Sequence, residues 1–372
     1  MRFTIKREEF LKSLNIVSKA IPNKAPNAIL LNYLLDLNDN GLFITGSNEN
    51  LSIKTFVPFI NNNVEIIRNY KEGKTCVNAR LLTEIIRRKD AEDIIFDLID
   101  STVIISDSKS EYKLNSIIPD EYPDIDFELN GVEVNLESQI FNLIVSQTAF
   151  AASLKEQRQQ LTAVNLEAGN GKLIATATDS ARLAKKEITI PFDIEFNANV
   201  PAKFITEIDK LTEGESSISL YASNNKILFK IGNTIVSTRL ISEEYPNTKN
   251  IVPRTTNYSL EVNANDLVKA IESANIFSGE RENIVDLTMS EQGIEISAKS
   301  SQEGSACEKI DVFKFEGEPL KISFNSEFVT SAIKALRSDD VLFLFIGEMK
   351  PFVIKNPSDD SIVQVVTPVR TF

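Results

Sequence analysis

Apolar residues at Phe10, Leu11, Leu14, Val17 and Ala20, separated by charged and polar ones, repeat with the period of a helix whose one face lies on a core. The alternating Phe3-Thr4-Ile5-Lys6 before them reads as a strand. This strand–helix pattern returns twice. Val134 and Leu136 lead into Phe141, Val145, Thr148 and Ala151, and Leu260 and Val262 lead into Leu267, Val268, Ile271, Ala274 and Phe277. Aligned on Ile5, Leu136 and Val262, the positions at offsets 5, 9, 12 and 15 are apolar or small in all three copies, apart from the hydroxyl of Thr148.

A second strand–helix unit also recurs. Cys76-Val77 precedes Leu81, Leu82, Ile85 and Ile86; Val200-Pro201 precedes Phe204, Ile205, Ile208 and Leu211; Ser323-Phe324 precedes Phe328, Val329, Ile333 and Leu336. Val77, Val200 and Phe324 are spaced by 123 and 124 residues, and the Glu-Tyr-Pro of Glu121-Tyr122-Pro123 returns 123 residues on at Glu244-Tyr245-Pro246. Between the helices, runs such as 51–57, 94–98, 226–231 and 341–346 alternate with period two. Breakers at Asn38-Asp39-Asn40-Gly41, Asn170-Gly171, Gly232-Asn233 and Gln292-Gly293 punctuate them as hairpins require. The pattern predicts an α+β chain of three tandem, similar domains, each built of two strand–helix–strands units, over residues 1–129, 130–254 and 255–372. The connections are short, so the modules are expected to pack in a fixed relation.

Composition adds mainly exclusions. A chain of 372 residues exceeds one ordinary core, and 42% hydrophobic with 25% charged residues is the balance of a soluble globular protein. No apolar run approaches the roughly 18 residues of a membrane span, and the N-terminus lacks the apolar stretch of a signal peptide. Cys76 and Cys307 stand without metal-site or CxxC spacing, which suits a reducing cytoplasm. Histidine is absent, which removes histidine-based triads and metal ligands. There is no Gly-rich phosphate loop and no G-x-S-x-G, and Thr178-Asp179, Asp339-Asp340 and Asp359-Asp360 read as turns or solvated loops. No catalytic residue, metal or cofactor is expected.

The net charge of −13 argues against nucleic acid until its distribution is considered. The six helical segments (6–20, 79–90, 137–158, 202–212, 264–276, 326–338) hold 15 Lys and Arg against 11 Asp and Glu, whereas the chain holds 40 against 53. The helices are therefore mildly basic and the rest strongly acidic. Helices sharing one face would attract phosphates there, although Lys and Arg also gather on exposed helix faces as good helix formers. A third feature is apolar surface at 177–184, Tyr245-Pro246 and 365–370, where an apolar tail is expected to pack rather than fray.

The Phe3-Thr4-Ile5 start, Thr45-Gly46-Ser47, Ala177-Thr178-Asp179-x-x-Arg182-Leu183-Ala184, Glu244-Tyr245-Pro246, Phe324-Asn325 and the Pro368-Val369-Arg370 end together resemble the bacterial sliding clamps, the beta subunits of DNA polymerase III, over the whole chain. The resemblance implies the DNA clamp fold: a head-to-tail homodimer closed into a ring, helices lining the hole and antiparallel sheets outside. The implied function is that of a non-catalytic processivity factor. Its partners would be encircled duplex DNA, the replicative polymerase catalytic subunit, the clamp loader and other peptide-motif proteins.

A peptide pocket is implied at Leu161, Thr178, Arg182, Leu183, Pro246, Ile251, Asn325, Phe328, Met349, Val366, Pro368, Val369 and Arg370. DNA contacts are implied at Lys24 and Arg158, to which the basic residues Arg80, Lys155 and Lys203 of the helical segments are added. Interface contacts match at Tyr112, Ile276 and Phe277. The chain departs from the family where Ser180-Ala181 replaces a common Gly-His, where no basic residue stands near Asn250, and where Gln159-Gln160 replace aromatic residues. A self-assembling adaptor that binds peptides without DNA is the competing reading, and an enzyme the third.

Overall fold

The computed structural model describes residues 1–155, 157–191, 194–253, 255–278, 283–300 and 302–370. Among the described residues six α-helices occupy the places that the apolar periodicity predicts: α1 (Arg7–Ser18), α2 (Ala79–Arg87), α3 (Ser138–Thr148), α4 (Ala202–Asp209), α5 (Ala264–Asn275) and α6 (Ser326–Leu336). Each follows directly on a strand. Asparagine marks three of these junctions, because its side chain accepts from the free amides of the first turn. Asn78 caps α2 through the amide of Leu81, Asn263 caps α5 through Asn265 and Asp266, and Asn325 caps α6 through Glu327 and Phe328. In α2 the inward residues are Ala79, Leu82, Thr83 and Ile86, while Leu81 is 43% exposed. Leu81 is one residue, or about 100°, from Leu82 around the helix, so the expected four-residue apolar face is narrower in fact.

Strand pairing divides the chain into two compact units, Met1–Gln139 with Glu207–Leu240, and Ile140–Thr206 with Ile241–Phe372. The described pairings are antiparallel. The first unit holds a sheet of thirteen strands. Within it the strand Leu51–Pro58 pairs with Thr234–Arg239, a strand from the second half of the middle repeat. The second unit holds sheets of nine and four strands, and Arg182–Thr189 pairs there with Asp359–Val366 in the same manner.

In the first unit Phe3 stacks on Phe96 at 4.8 Å and meets Phe10 edge-on at 6.0 Å, all three fully buried. The buried hydroxyl of Tyr33, on the strand Asn32–Asn38, donates to the Leu14 carbonyl of α1 (2.9 Å) and bonds Thr83 Oγ1 of α2 (2.8 Å), tying both helices to the sheet. A Cβ at Gly46 would stand 2.7 Å from Val17 Cγ1, so glycine there lets α1 lie close on the sheet. In the second unit Phe324, Phe343, Phe345 and Phe352 form the centre, and α5 and α6 bury Leu267, Ile271, Val329 and Ile333 against it.

Candidate functional site

The strand Lys172–Thr178 enters Arg182–Thr189 through a turn that its own side chains hold together. Thr178 Oγ1 accepts from the Ser180 amide (3.1 Å) and donates to the Arg182 carbonyl (2.6 Å). Asp179 Oδ1 accepts from the amides of Ala181 and Arg182, both at 2.9 Å, and its Oδ2 accepts from Arg182 Nε at 2.9 Å. Asp179 is thus a turn residue, as the sequence suggests, but it also orients an arginine. The guanidinium so held lies over the Phe328 ring at 4.5 Å, with Phe150 at 5.5 Å. Both Asp179 and Arg182 are mostly buried.

Beside this turn opens a cleft of about 260 Å³, lined by Arg158, Gln160, Leu161, Thr178, Ser180, Ala181, Arg182, Leu183, Pro246, Ile251, Val365 and Thr367. Its floor is a small apolar cluster of Leu183, Val353 and Val365, with Val252, Leu344 and Val363 packed against it. The end of the chain is strapped alongside: the Thr367 amide donates to Ala181 O and the Val369 amide to Ser323 O, both at 2.8 Å.

Six of the thirteen residues expected in the pocket line this cleft: Leu161, Thr178, Arg182, Leu183, Pro246 and Ile251. Phe328 reaches the site through Arg182, and Asn325 caps the helix that carries Phe328. Val366 and Pro368 are buried, Val369 is half-buried, and Arg370 and Met349 are exposed, none of them on the cleft wall.

Tyr245, next to Pro246, has its phenol pushed well above the ordinary range by burial, while the backbone at Thr178 pulls it partly back. Tyr122 of the first Glu-Tyr-Pro is raised in the same way, mainly by burial, against the backbone at Ser47.

The five basic residues expected to meet DNA are exposed, and none forms an ion pair with a described residue. Lys24 and Arg80 lie in the first unit, Lys155, Arg158 and Lys203 in the second. Tyr112 is 42% exposed on the strand Glu111–Ile117, and Ile276 is 72% exposed at the end of α5 beside half-buried Phe277. Several sheet edges stand open among the described residues, two of them on the strands Glu111–Ile117 and Gly304–Ile310. The strand Glu111–Ile117 pairs along one side with Thr102–Ser106, but on its other side only Ser116 and Ile117 find partners. The strand Gly304–Ile310 pairs with Gly293–Ser300 alone. Among the described residues no cluster of His, Cys, Asp and Glu could hold a metal, and no helix is long and apolar enough to cross a membrane.

Family models of the DNA polymerase III beta subunit match in order along the chain: the N-terminal domain over residues 1–126, the central domain over 135–247 and the C-terminal domain over 249–370. The chain belongs to this family. A beta sliding clamp of Bacillus subtilis is 32% identical, with all of both chains covered. The crystal structure of the Bacillus subtilis DNA polymerase sliding clamp superposes with a TM-score of 0.97 at 30% identity, and that of the DNA polymerase III beta chain of Streptococcus pneumoniae with 0.95 at 29%, each over the full length of both chains. The fold is accordingly the three-domain sliding-clamp fold.

Within this beta-subunit fold the cleft has a counterpart in the first unit. Ser47 Oγ accepts from the Glu49 amide at 3.1 Å, and Asn48 Oδ1 accepts from Asn50 and Leu51 at 3.2 and 2.8 Å. A cleft of about 510 Å³ opens beside that turn, with Pro123 on its wall. Its ladder pair is Ser52–Ser237, where the apolar cleft has Leu183–Val365. Repetition therefore made the shape twice, and the side chains made it apolar once. Reading the sequence alone missed Arg158 and Gln160 on the cleft wall. The apolar pattern carries no signal for either, since both are polar, Arg158 in a loop and Gln160 in the short 3-10 turn Gln159–Thr162.

Proposed function

We propose that this chain is a non-catalytic processivity factor that closes with a second copy into a ring around duplex DNA and tethers DNA polymerase III through the cleft at Arg182. The observation that carries the reading is a pairing left incomplete. The last strand of a first half-repeat pairs with the last strand of a second half-repeat twice within the chain, Leu51–Pro58 with Thr234–Arg239 and Arg182–Thr189 with Asp359–Val366. The third pair of that kind would be Gly304–Ile310 with Glu111–Ile117; the first pairs on one side alone, and the second finds partners on its far side only at Ser116 and Ile117. Open edges recruit further strands, and a head-to-tail contact that closes on itself uses both of these. Exposed Tyr112, Ile276 and half-buried Phe277 supply apolar surface for the contact.

The cleft suits an extended segment of the Gln-Leu-x-Leu-Phe kind, leucine and phenylalanine filling the apolar floor and glutamine fixing register. Burial of such side chains contributes roughly 1.5–3 kcal/mol each before ordering costs, so affinity of micromolar order is expected. Polymerase, clamp loader and other motif-bearing proteins would share it. Lys24, Arg80, Lys155, Arg158 and Lys203 would contact phosphates, giving weak, sequence-independent and salt-sensitive attraction. The proposed modules run over 1–129, 130–254 and 255–372, and the site of action is the cytoplasm, with no cofactor.

The deciding experiment is retention on nicked circular DNA after loading. Release on linearisation is expected, because topological binding depends on no sequence contact. Retention unaffected by linearisation would overturn the ring, and peptide binding with no DNA retention would favour an adaptor instead. Alkylation of Cys307, the exposed cysteine on Gly304–Ile310, should slow at concentrations where dimers form, while Cys76 stays buried throughout.

A further inference from the structure

Lys89 lies just beyond α2 and is 5% exposed. Its ammonium pairs with Asp107 at 3.0 Å, the two side chains 4% and 7% exposed, and it also donates to Ser110 Oγ. The same nitrogen stands 4.5 Å from the centroid of Tyr112. Asp107 in turn opens the hairpin turn 107–110 between Thr102–Ser106 and Glu111–Ile117. Its Oδ1 accepts from the amides of Lys109 (2.8 Å) and Ser110 (2.7 Å) and from Ser110 Oγ (3.1 Å). Those donors, the Lys109 amide first and Lys89 next, hold its carboxyl far below the usual carboxylate range.

A buried ion pair is a costly way to hold a turn, because well-packed apolar side chains of similar volume do it as well or better. What the ammonium adds is a grip on an aromatic face. Lys89 makes the one cation or ring contact of Tyr112 among the described residues, and that ring is 42% exposed on the strand whose edge is open.

We propose that Lys89 is a positioning residue for subunit association. One ammonium fixes the 107–110 turn through Asp107 and Ser110 and supports the inner face of Tyr112. The open strand and its aromatic side chain are therefore already ordered when they meet Gly304–Ile310 of a second copy. Ordering an interface side chain beforehand removes that cost from association. The inference rests on the interface reading given above.

The test is the dimer dissociation constant of the full-length chain by sedimentation. Lys89→Met/Asp107→Asn removes both charges while the asparagine can still accept from the turn amides. Association should weaken about tenfold, the scale of one desolvated cation–ring contact. Tyr112→Leu should weaken it by at least as much, and the triple variant should be no worse than Tyr112→Leu alone. Tyr112→Phe, which keeps the ring face, should associate like the parent, and that comparison stands even if the Lys89→Met/Asp107→Asn chain fails to fold. Additive losses, an unchanged dissociation constant, or equal losses from leucine and phenylalanine would overturn the proposal. Ile276→Asp separates the two levels. If it leaves the dimer intact, the interface reading falls and this inference with it; if it dissociates the dimer while Lys89→Met/Asp107→Asn does not, only the role of Lys89 falls.

Discussion

Glu49 and Ser180 occupy the same point of two copies of one turn, and both hold left-handed backbone, at φ 73° and 81°. In each copy the amide at that point donates to the hydroxyl two residues back, and the intervening Asn48 or Asp179 accepts from the next two amides. Those bonds offset the roughly 1–2 kcal/mol that a Cβ in this conformation costs. Glycine would relieve the strain but lose more entropy on folding. Ser180→Gly is therefore expected to change stability by about 0 to +1 kcal/mol, read by urea unfolding, with peptide affinity unchanged. A clear destabilisation would mean that the serine side chain, not the backbone shape, holds the turn.

Arg182 is presented to the cleft by Asp179 on one side and Phe328 on the other. Asp179→Asn keeps an acceptor for the turn amides but removes the charge that aims the guanidinium. Peptide affinity should fall roughly tenfold or more, the lower end of what one charge-assisted hydrogen bond contributes. Phe328→Leu should cost a similar factor through the lost ring face. Titration with a labelled Gln-Leu-x-Leu-Phe peptide should give one site per chain, since the counterpart cleft has Ser52 and Ser237 in place of Leu183 and Val365. If both variants bind like the parent while Arg182→Ala does not, the charge is needed but its orientation is not.

The helices were legible because each must turn an apolar face to a core, and that face recurs at a fixed spacing in all three repeats. Pairing across the repeats was not. Thr55 meets Thr234, their hydroxyls 2.9 Å apart, across 179 residues of chain, and no local pattern in either strand names the other. The cleft was partly legible for the same reason. Thr178, Arg182 and Leu183 stand in one recognisable stretch, whereas Arg158 and Gln160 reach the wall through a loop fold in which the Ser153 amide donates to Leu161 O at 2.8 Å. Asn325 shows the opposite case, a residue noticed beside a site whose side chain caps a helix in the fold.

Where the first unit places the Thr55–Thr234 bond, the second places a mostly buried charge. Lys186 donates to Ser361 Oγ at 2.6 Å and to Asp359 Oδ2 at 3.2 Å, on the ladder between Arg182–Thr189 and Asp359–Val366. Burial works against the charge on Asp359, but the Ser361 and Lys186 donors prevail and its carboxyl sits below the ordinary value. A lowered carboxyl stabilises the fold above the unfolded value, near pH 4, and that contribution is lost as pH falls through the lower folded value. Asp359→Asn should cost about 1–3 kcal/mol, less than for a fully buried pair because Asp359 is partly exposed. Lys186→Met/Asp359→Asn should cost less than Asp359→Asn alone and flatten the decline in melting temperature between about pH 4 and pH 2. An acid limb of unchanged steepness in the double variant would assign that decline to other carboxylates, Asp93 and Asp126 among them, which are also lowered.

Arg158 belongs to two proposals at once. It is an exposed cation expected on DNA, and it lines the cleft with Gln160 and Leu161. Lys24 and Arg80 line neither this cleft nor its floor. Lys24→Glu/Arg80→Glu should therefore weaken DNA association and lower the slope of log affinity against log salt by about 0.9 for each phosphate contact removed, while peptide titrations stay at the parent value. Arg158→Glu should lower both, because the reversed charge faces phosphates in one role and alters the rim of an apolar groove in the other. Dimer mass by sedimentation should hold in both variants, since neither touches the strands Glu111–Ile117 and Gly304–Ile310. Should Arg158→Glu weaken peptide binding and leave the salt slope intact, its place is the cleft alone, and DNA contact in the second unit would fall to Lys155 and Lys203. The converse result, a lower slope with full peptide affinity, would make its position on the cleft wall incidental.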